Sequence, residues 1–300
     1  MQAPTVDPYD ILIQSAQDPA QAAIPAHAQR LARGSHVFQS MLEIGSLAQT
    51  NAPHTSDLPV VQVDERPELL ALLISLLETP PELPPPAVNN QGPSSAVPLS
   101  SDPPSSTLPW PLVVTLLDIA DKYDLSEDIL TRLHAHVRSH APSYPLQVYA
   151  LASRLDLNDI ASLASSFLLH PPMHEYPLSE IAVLPTASSY HLLLVLQMHR
   201  LPKLRNILAT EPIFPHDYGA CSKHGTASAR AIWESRRESV LEHIHSGSDI
   251  ANMMQCDEEV RTELKNCSDC SLGWERAVEM MRYKAGKVPR EISQLPSDIL

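Results

Sequence analysis

The feature that most constrains this chain is a run of prolines between Thr79 and Pro111, with Pro80-Pro81, Pro84-Pro85-Pro86 and Pro103-Pro104 set around a Ser/Asn/Gly-rich middle. Proline fixes φ and removes a backbone donor, so neither a helix interior nor a central strand can be built there. The segment is expected to be disordered or polyproline-like. It reads as a solvated insertion, or more sharply as a docking segment for a proline-recognising module. With 29 prolines against 8 glycines in 300 residues, much of the skew collects in this stretch. The remainder, 43% apolar overall, has the composition of a globular protein and length for two modest domains.

Before the insertion the pattern is mixed. Asp10–Ser15 is a short β-rich run, Gln17-Asp18-Pro19 a turn, and Ala22–Ala26 a partner strand. Ala28–Leu42 predicts two short helical segments around a Gly34-Ser35 break, with Leu31, Phe38, Met41 and Leu42 as anchors. Leu58–Val63 is rich in β-branched residues and predicts a third strand, and Glu68–Leu77 predicts a buried helix. After the insertion every element is helical. Leu112, Leu116, Ile119 and Tyr123 share a face, and Ser126 caps a helix carrying Ile129, Leu133 and Val137.

Past a boundary near Pro142 the chain predicts a helical unit, 143–300. Leu146–Leu155 is followed by Asn158–Leu169, with Asn158 as cap and Ile160, Leu163, Ala164 and Phe167 spaced for burial. Ala187–Leu208, Thr226–Ser246 stopped by Gly247, Asp257–Lys265 and Leu272–Tyr283 follow, and the tail from Val288 carries no pattern.

Charge narrows the function. Residues 1–145 hold 6 Lys/Arg against 16 Asp/Glu, a net of −10, and the rest adds −4. Phosphate-backbone binding draws its affinity from Lys/Arg displacing counterions, so nucleic acid is a poor expectation. No run of about 18 uncharged apolar residues is present to span a bilayer, and the N-terminus lacks a basic start followed by an apolar stretch. An intracellular protein, cytoplasmic or nuclear, is expected, with reduced thiols or a metal rather than disulfides. The sequence carries no phosphate-binding glycine loop, no G-x-S-x-G and no H-E-x-x-H, so it predicts no enzyme.

One constellation carries chemistry. Cys221-x2-His224 and Cys267-x2-Cys270 form two pairs separated by 42 residues. Zinc takes four such donors tetrahedrally, and a two-residue gap lets both members of a pair face one ion. Four protein ligands would leave no open position, which makes such a zinc structural. The other reading of the thiols is a free or redox-labile pair. Cys256 reads as an apolar cysteine, and His216, His243 and His245 are substitutes for His224.

The order strand, strand, His27, Leu31, Ser35-x-x-Phe38-x-x-Met41-Leu42, a strand ending in Glu65 and an apolar helix resembles the BTB/POZ domain. Asp10, His27, Leu31, Ser35, Phe38 and Met41 stand at matching places, Ala28 replaces the usual lysine, and Ile119–Leu125 is similar to the family's later Ala/Tyr helix. The likeness covers Asp10 to about His140, so the insertion interrupts a domain. Pro145–Leu157 and the C-terminal Cys/His pairs resemble the helical extension of BTB proteins of mushroom-forming fungi. The resemblance implies an α+β fold, a small sheet flanked by helices, that binds proteins and often homodimerises. It also implies roles as adaptor or scaffold, with a cullin ubiquitin-ligase scaffold as one partner class. A zinc-dependent transcriptional regulator is the other reading. The matched residues are expected to be core or buried hydrogen-bonding groups, not ligands.

Overall fold

A computed structural model describes residues 8–49, 58–85, 107–214, 221, 226–297 and 299. Residues 86–106, the bulk of the proline-rich insertion, lie outside the described residues, as do His216 and His224. The fold is α+β, with helices around a small three-stranded sheet. The described residues fall into two compact units, one up to His140 and one from Ala141 onward.

In the first unit, β1 (Ile11–Ser15) pairs antiparallel with β2 (Ile24–Ala26), placing Ile11 opposite Ala26. On its other edge β1 pairs in parallel with β3 (Val60–Val63), Leu12 opposite Val60 and Ser15 opposite Val63. A parallel pair needs a crossover rather than a hairpin. Here α1 (Ala28–Gly34) and α2 (His36–Gln49) lie within it. Period-two alternation sends Ile11, Ile13 and Ser15 to the buried face of β1. That face is covered by the apolar helix α3 (Pro67–Glu78), which also touches α1 and β2. Then α4 (Trp110–Lys122) and α5 (Glu127–Ser139) form a hairpin that buries Val113, Leu116, Ile129, Leu133 and Val137. Prolines at helix starts have a use: Pro67 and Pro111 sit in the first turns of α3 and α4, where no N–H is needed.

The hinge between α1 and α2 meets the hinge between α4 and α5. Ser35 bridges to Leu125 across the chain, Ser126 N–H donates to Gly34 O at 2.9 Å, and His36 N–H donates to Asp124 O at 3.1 Å. Asp124 takes a left-handed φ of 46° to make this possible. The buried Ser35 hydroxyl donates to Tyr123 O at 2.6 Å and accepts from Phe38 N–H at 3.2 Å, while the Phe38 and Tyr123 rings stack at 5.9 Å. Gly34 lets the side chains around it approach closely, since a Cβ there would lie 2.6 Å from Leu77 Cδ2. At the same end of α4, Glu65 accepts from Lys122 and from the Tyr123 hydroxyl, and its backbone carbonyl accepts from Ser15 Oγ. Burial alone would raise the Glu65 carboxyl, but the Lys122 and backbone hydrogen bonds hold it below the ordinary value.

The second unit is helical: α6 (Pro145–Arg154), α7 (Asn158–Ser165), α8 (Leu178–Ile181), α9 (Ala187–Thr210), α10 (Ala227–His243), α11 (Ile250–Met253), α12 (Glu258–Glu263) and α13 (Ser268–Ala285). Three expectations need correction. Leu157, not Asn158, is the residue ahead of α7, because Asp156 at φ 56° already turns the chain. Phe167 is exposed, since α7 ends at Ser165 and the tighter turn that follows gives the buried places to Leu168 and Leu169. The long helix ends at His243 rather than at Gly247. Ile244 turns extended there, so that Ser246 presents its carbonyl to the Arg200 guanidinium and its hydroxyl to Leu169 O. The unpatterned tail docks by polar contacts that no periodicity signals: Ser162 Oγ meets Glu291 and Ser293, and Arg200 also holds Val288 O and Pro289 O.

Removing the Ser35 hydroxyl strands a buried carbonyl and a helix N–H. Ser35→Ala is expected to cost about 1–3 kcal/mol, read as a lower urea midpoint at unchanged slope.

Candidate metal centre

The core of the second unit is built on two tryptophans. Trp233 of α10 and Trp274 of α13 meet edge to face, 4.8 Å between ring centres, and both are fully buried. Each indole N–H is satisfied, Trp233 by Glu211 O at 3.1 Å and Trp274 by Met254 O at 2.7 Å. Phe214 packs so closely on α13 that a Cβ at Gly273 would lie 2.4 Å from its ring. The cysteines lie in this same cluster of buried side chains.

Local backbone geometry places the C-x2-C pair. At the end of α12, Lys265 and Asn266 are left-handed, with φ of 55° and 50°. Asn266 N–H closes back on Arg261 O at 2.9 Å, ending the helix, and Cys267 becomes the residue that caps α13. Cys270 falls in the first turn of α13, 2% exposed, with Trp274 one turn beyond on the same face. Cys221, 3% exposed, stands ahead of α10, and its Sγ is 3.6 Å from Cys267 Sγ. The Sγ atoms of Cys221, Cys267 and Cys270 all lie within 4.8 Å of one another.

The spacing can be tested against an ion. Zn–S bonds of about 2.3 Å at tetrahedral angles set the sulfurs about 3.8 Å apart. A separation of 3.6 Å matches that, and it is far beyond the roughly 2.05 Å of a disulfide. Three thiols converging on one point could hold a metal ion.

The thiols differ in proton affinity. Cys267 is held down to about 6, first by the Cys270 backbone N–H at the start of α13, with further hydrogen bonds from its sulfur neighbours and the Asp269 N–H. Cys270 is pushed up to about 12, first by burial and then by the nearby Cys267 and Cys221 sulfurs. A metal ion reverses that second effect, because thiolates crowded without a cation repel and thiolates on a cation do not.

Of the four residues singled out from the sequence, the structure brings Cys221, Cys267 and Cys270 together, and His224 lies outside the described residues. Neither described substitute joins them. His243 is exposed and bonds to Ser239 O, and His245 stacks on His170 with ring centres 3.9 Å apart. Cys256 is half-buried against the same core and outside the sulfur group. Periodicity did not single out the buried Arg200, nor His136 of α5 and His140 at its end. A charged or titratable residue on the apolar stripe of a helix was the available signal in each case.

In reduced, metal-stripped protein, iodoacetamide is expected to label Cys267 at least tenfold faster than Cys270 at pH 7. The Cys267 rate should rise through about pH 6 as the thiolate forms, followed by peptide mass spectrometry.

No protein-family model matches the chain, and no curated protein matches it. Among the described residues, no helix is long and apolar enough to cross a membrane.

Proposed function

We propose that this protein is a non-enzymatic protein–protein interaction module. Its N-terminal unit acts as a BTB/POZ-like dimerising adaptor, and its C-terminal helical unit is stapled by a structural zinc ion. The observation that carries the first part is the element order β1-β2-α1-α2-β3-α3-α4-α5, joined across the insertion by the Ser35–Tyr123 contact. Of the residues that carry the resemblance, His27, Leu31, Ser35, Phe38 and Tyr123 occupy core or hydrogen-bonding roles, Asp10 is exposed and accepts from Ala28 N–H, and Met41 is half-buried. His27 is paired with Glu78 at 2.7 Å, and Leu31 and Phe38 are fully buried.

The zinc reading is supported by the converging sulfurs of Cys221, Cys267 and Cys270, with His224 as the fourth donor that the C-x2-H spacing offers. Bound there, zinc would supply folding energy by tying the chain ahead of α10 to the start of α13. A DNA-reading role for the same region draws less support, because the arginines of α10 are spent internally. Arg236 bonds Met253 O and Asp257, Arg237 pairs with Glu234, and Arg230 reaches Phe214 O.

Purification without chelator is expected to yield about one equivalent of zinc by atomic emission, lost in Cys270→Ser together with several kcal/mol of stability. Less than a tenth of an equivalent in the wild-type chain removes the metal. Separately, light scattering on the eluting protein should give twice the 33.0 kDa chain mass. A monomer at tens of micromolar removes the dimer.

A further inference from the structure

His136 of α5 and His140, which ends that helix, lie one turn apart at the backbone where the proline-rich insertion leaves and rejoins the first unit. On the returning side, Leu108 N–H donates to His136 Nδ1 at 3.3 Å, and Leu108 O lies 2.7 Å from His140 Nε2. On the outgoing side, His136 Nε2 is 2.9 Å from Glu82 O, and Arg132, one turn earlier, donates to Pro81 O at 3.2 Å. The Trp110 ring, just after the returning stem, meets the His140 ring edge on at 5.6 Å. One face of α5 therefore holds both stems, and His136 touches the two at once.

The donors and acceptors fix the proton. Glu82 O can only accept, so His136 carries its hydrogen on Nε2. Leu108 N–H can only donate, so Nδ1 must present a lone pair. The imidazole is neutral by construction, and it is fully buried. A second proton would set Nδ1–H against Leu108 N–H, donor facing donor, and would place a charge away from water. The bonds from His140 Nε2 to Leu108 O and from His136 Nε2 to Glu82 O need only an N–H, which both protonation states supply. Protonation of His136 thus breaks one identifiable hydrogen bond.

We propose that His136 is a proton-sensitive clasp at the base of the insertion: neutral, it holds the outgoing and returning stems together, and protonated, it releases the returning stem at Leu108. The inference depends neither on the metal nor on the dimer. His140, Arg132 and Glu82 are the titratable and charged groups near the ring. His140, at the end of the same helix, opposes a charge on His136; Arg132 brings a fixed cation to the outgoing stem; the Glu82 side chain is exposed and only its carbonyl engages the ring. Burial, the largest effect, lowers the His136 pKa below 6.5 against the raising effect of the Glu82 carbonyl bond, and His140 adds a smaller lowering one. The unfolded or opened chain then binds the proton first, so the clasp is fully present above about pH 6.5 and weakens as pH falls below it.

Hydrogen–deuterium exchange on the full-length protein between pH 7.5 and 4.5, corrected for intrinsic rates, tests this. Exchange at the Leu108 amide should become at least tenfold faster on acidification, while the core amides of Leu116 and Leu133 keep their protection. His136→Leu should make Leu108 exchange fast at both pH values; if that variant does not fold, the wild-type series decides alone. Unchanged Leu108 protection at pH 4.5, or loss of protection at Leu108, Leu116 and Leu133 together, overturns the proposal.

Discussion

The first unit depends on one contact made over a long sequence distance: the Ser35 hydroxyl on the Tyr123 carbonyl, 88 residues apart. Both residues lie at breaks between consecutive helices, where backbone groups have no helical partner and must find one elsewhere. The two breaks satisfy each other. Gly34 and His36 exchange hydrogen bonds with Ser126 and Asp124, and Ser35 fills the remaining gap with its side chain. This is why a long segment can be inserted between α3 and α4 without cutting the domain. Loop-closure cost grows only slowly with length, and the ends are fixed by contacts made outside the inserted residues.

The second unit meets the same demand with different chemistry. Arg200, buried on α9, takes three carbonyls from chain segments that have just left helices, at Ser246, Val288 and Pro289. Burial lowers its pKa to about 10, yet it stays charged at any physiological pH, so it serves as a permanent donor cluster. The tryptophan N–H groups do likewise at Glu211 and Met254. Polar groups inside this helical unit join segments, while apolar surface fills the space between them.

The sequence was most legible where a signal repeats locally. The three strands, the Gly34-Ser35 break and the helices from α3 to α7 follow from alternation and 3.6-residue periodicity, and the structure places them near the expected ranges. The α+β arrangement is present as expected, with β3 joining β1 in parallel. Helix ends were less legible, because they answer to distant partners: α10 stops at His243 to serve Arg200, and a glycine four residues later misleads. Half of the sulfur site could be read from spacing, since Cys267 and Cys270 are local. Cys221 was named by its own C-x2-H spacing, but its approach to within 3.6 Å of a cysteine 46 residues away belongs to the fold. The His136 contacts had no sequence signal beyond a histidine on an apolar face, because their partners are main-chain atoms of the insertion stems.

Proton demand links the two chemistries in the chain. His136 must stay unprotonated to accept from Leu108, and Cys267, Cys270 and Cys221 must lose protons to hold a metal. These are opposite charge states, a neutral imidazole and anionic thiolates, but both oppose the addition of protons. Acid therefore weakens the insertion base in the first unit and would weaken the hold of the three thiols on a metal in the second, in the same direction, although no titrating group is shared between them. Glu65 belongs with them: Lys122 and backbone hydrogen bonds keep its carboxylate ionised, so it too is lost by protonation, at a pH below the ordinary carboxylate value. The order of loss on acidification follows from the groups themselves. The clasp weakens below the ordinary histidine value while Glu65 still holds β3 to α4, so the insertion stem can open with the sheet and its helices intact.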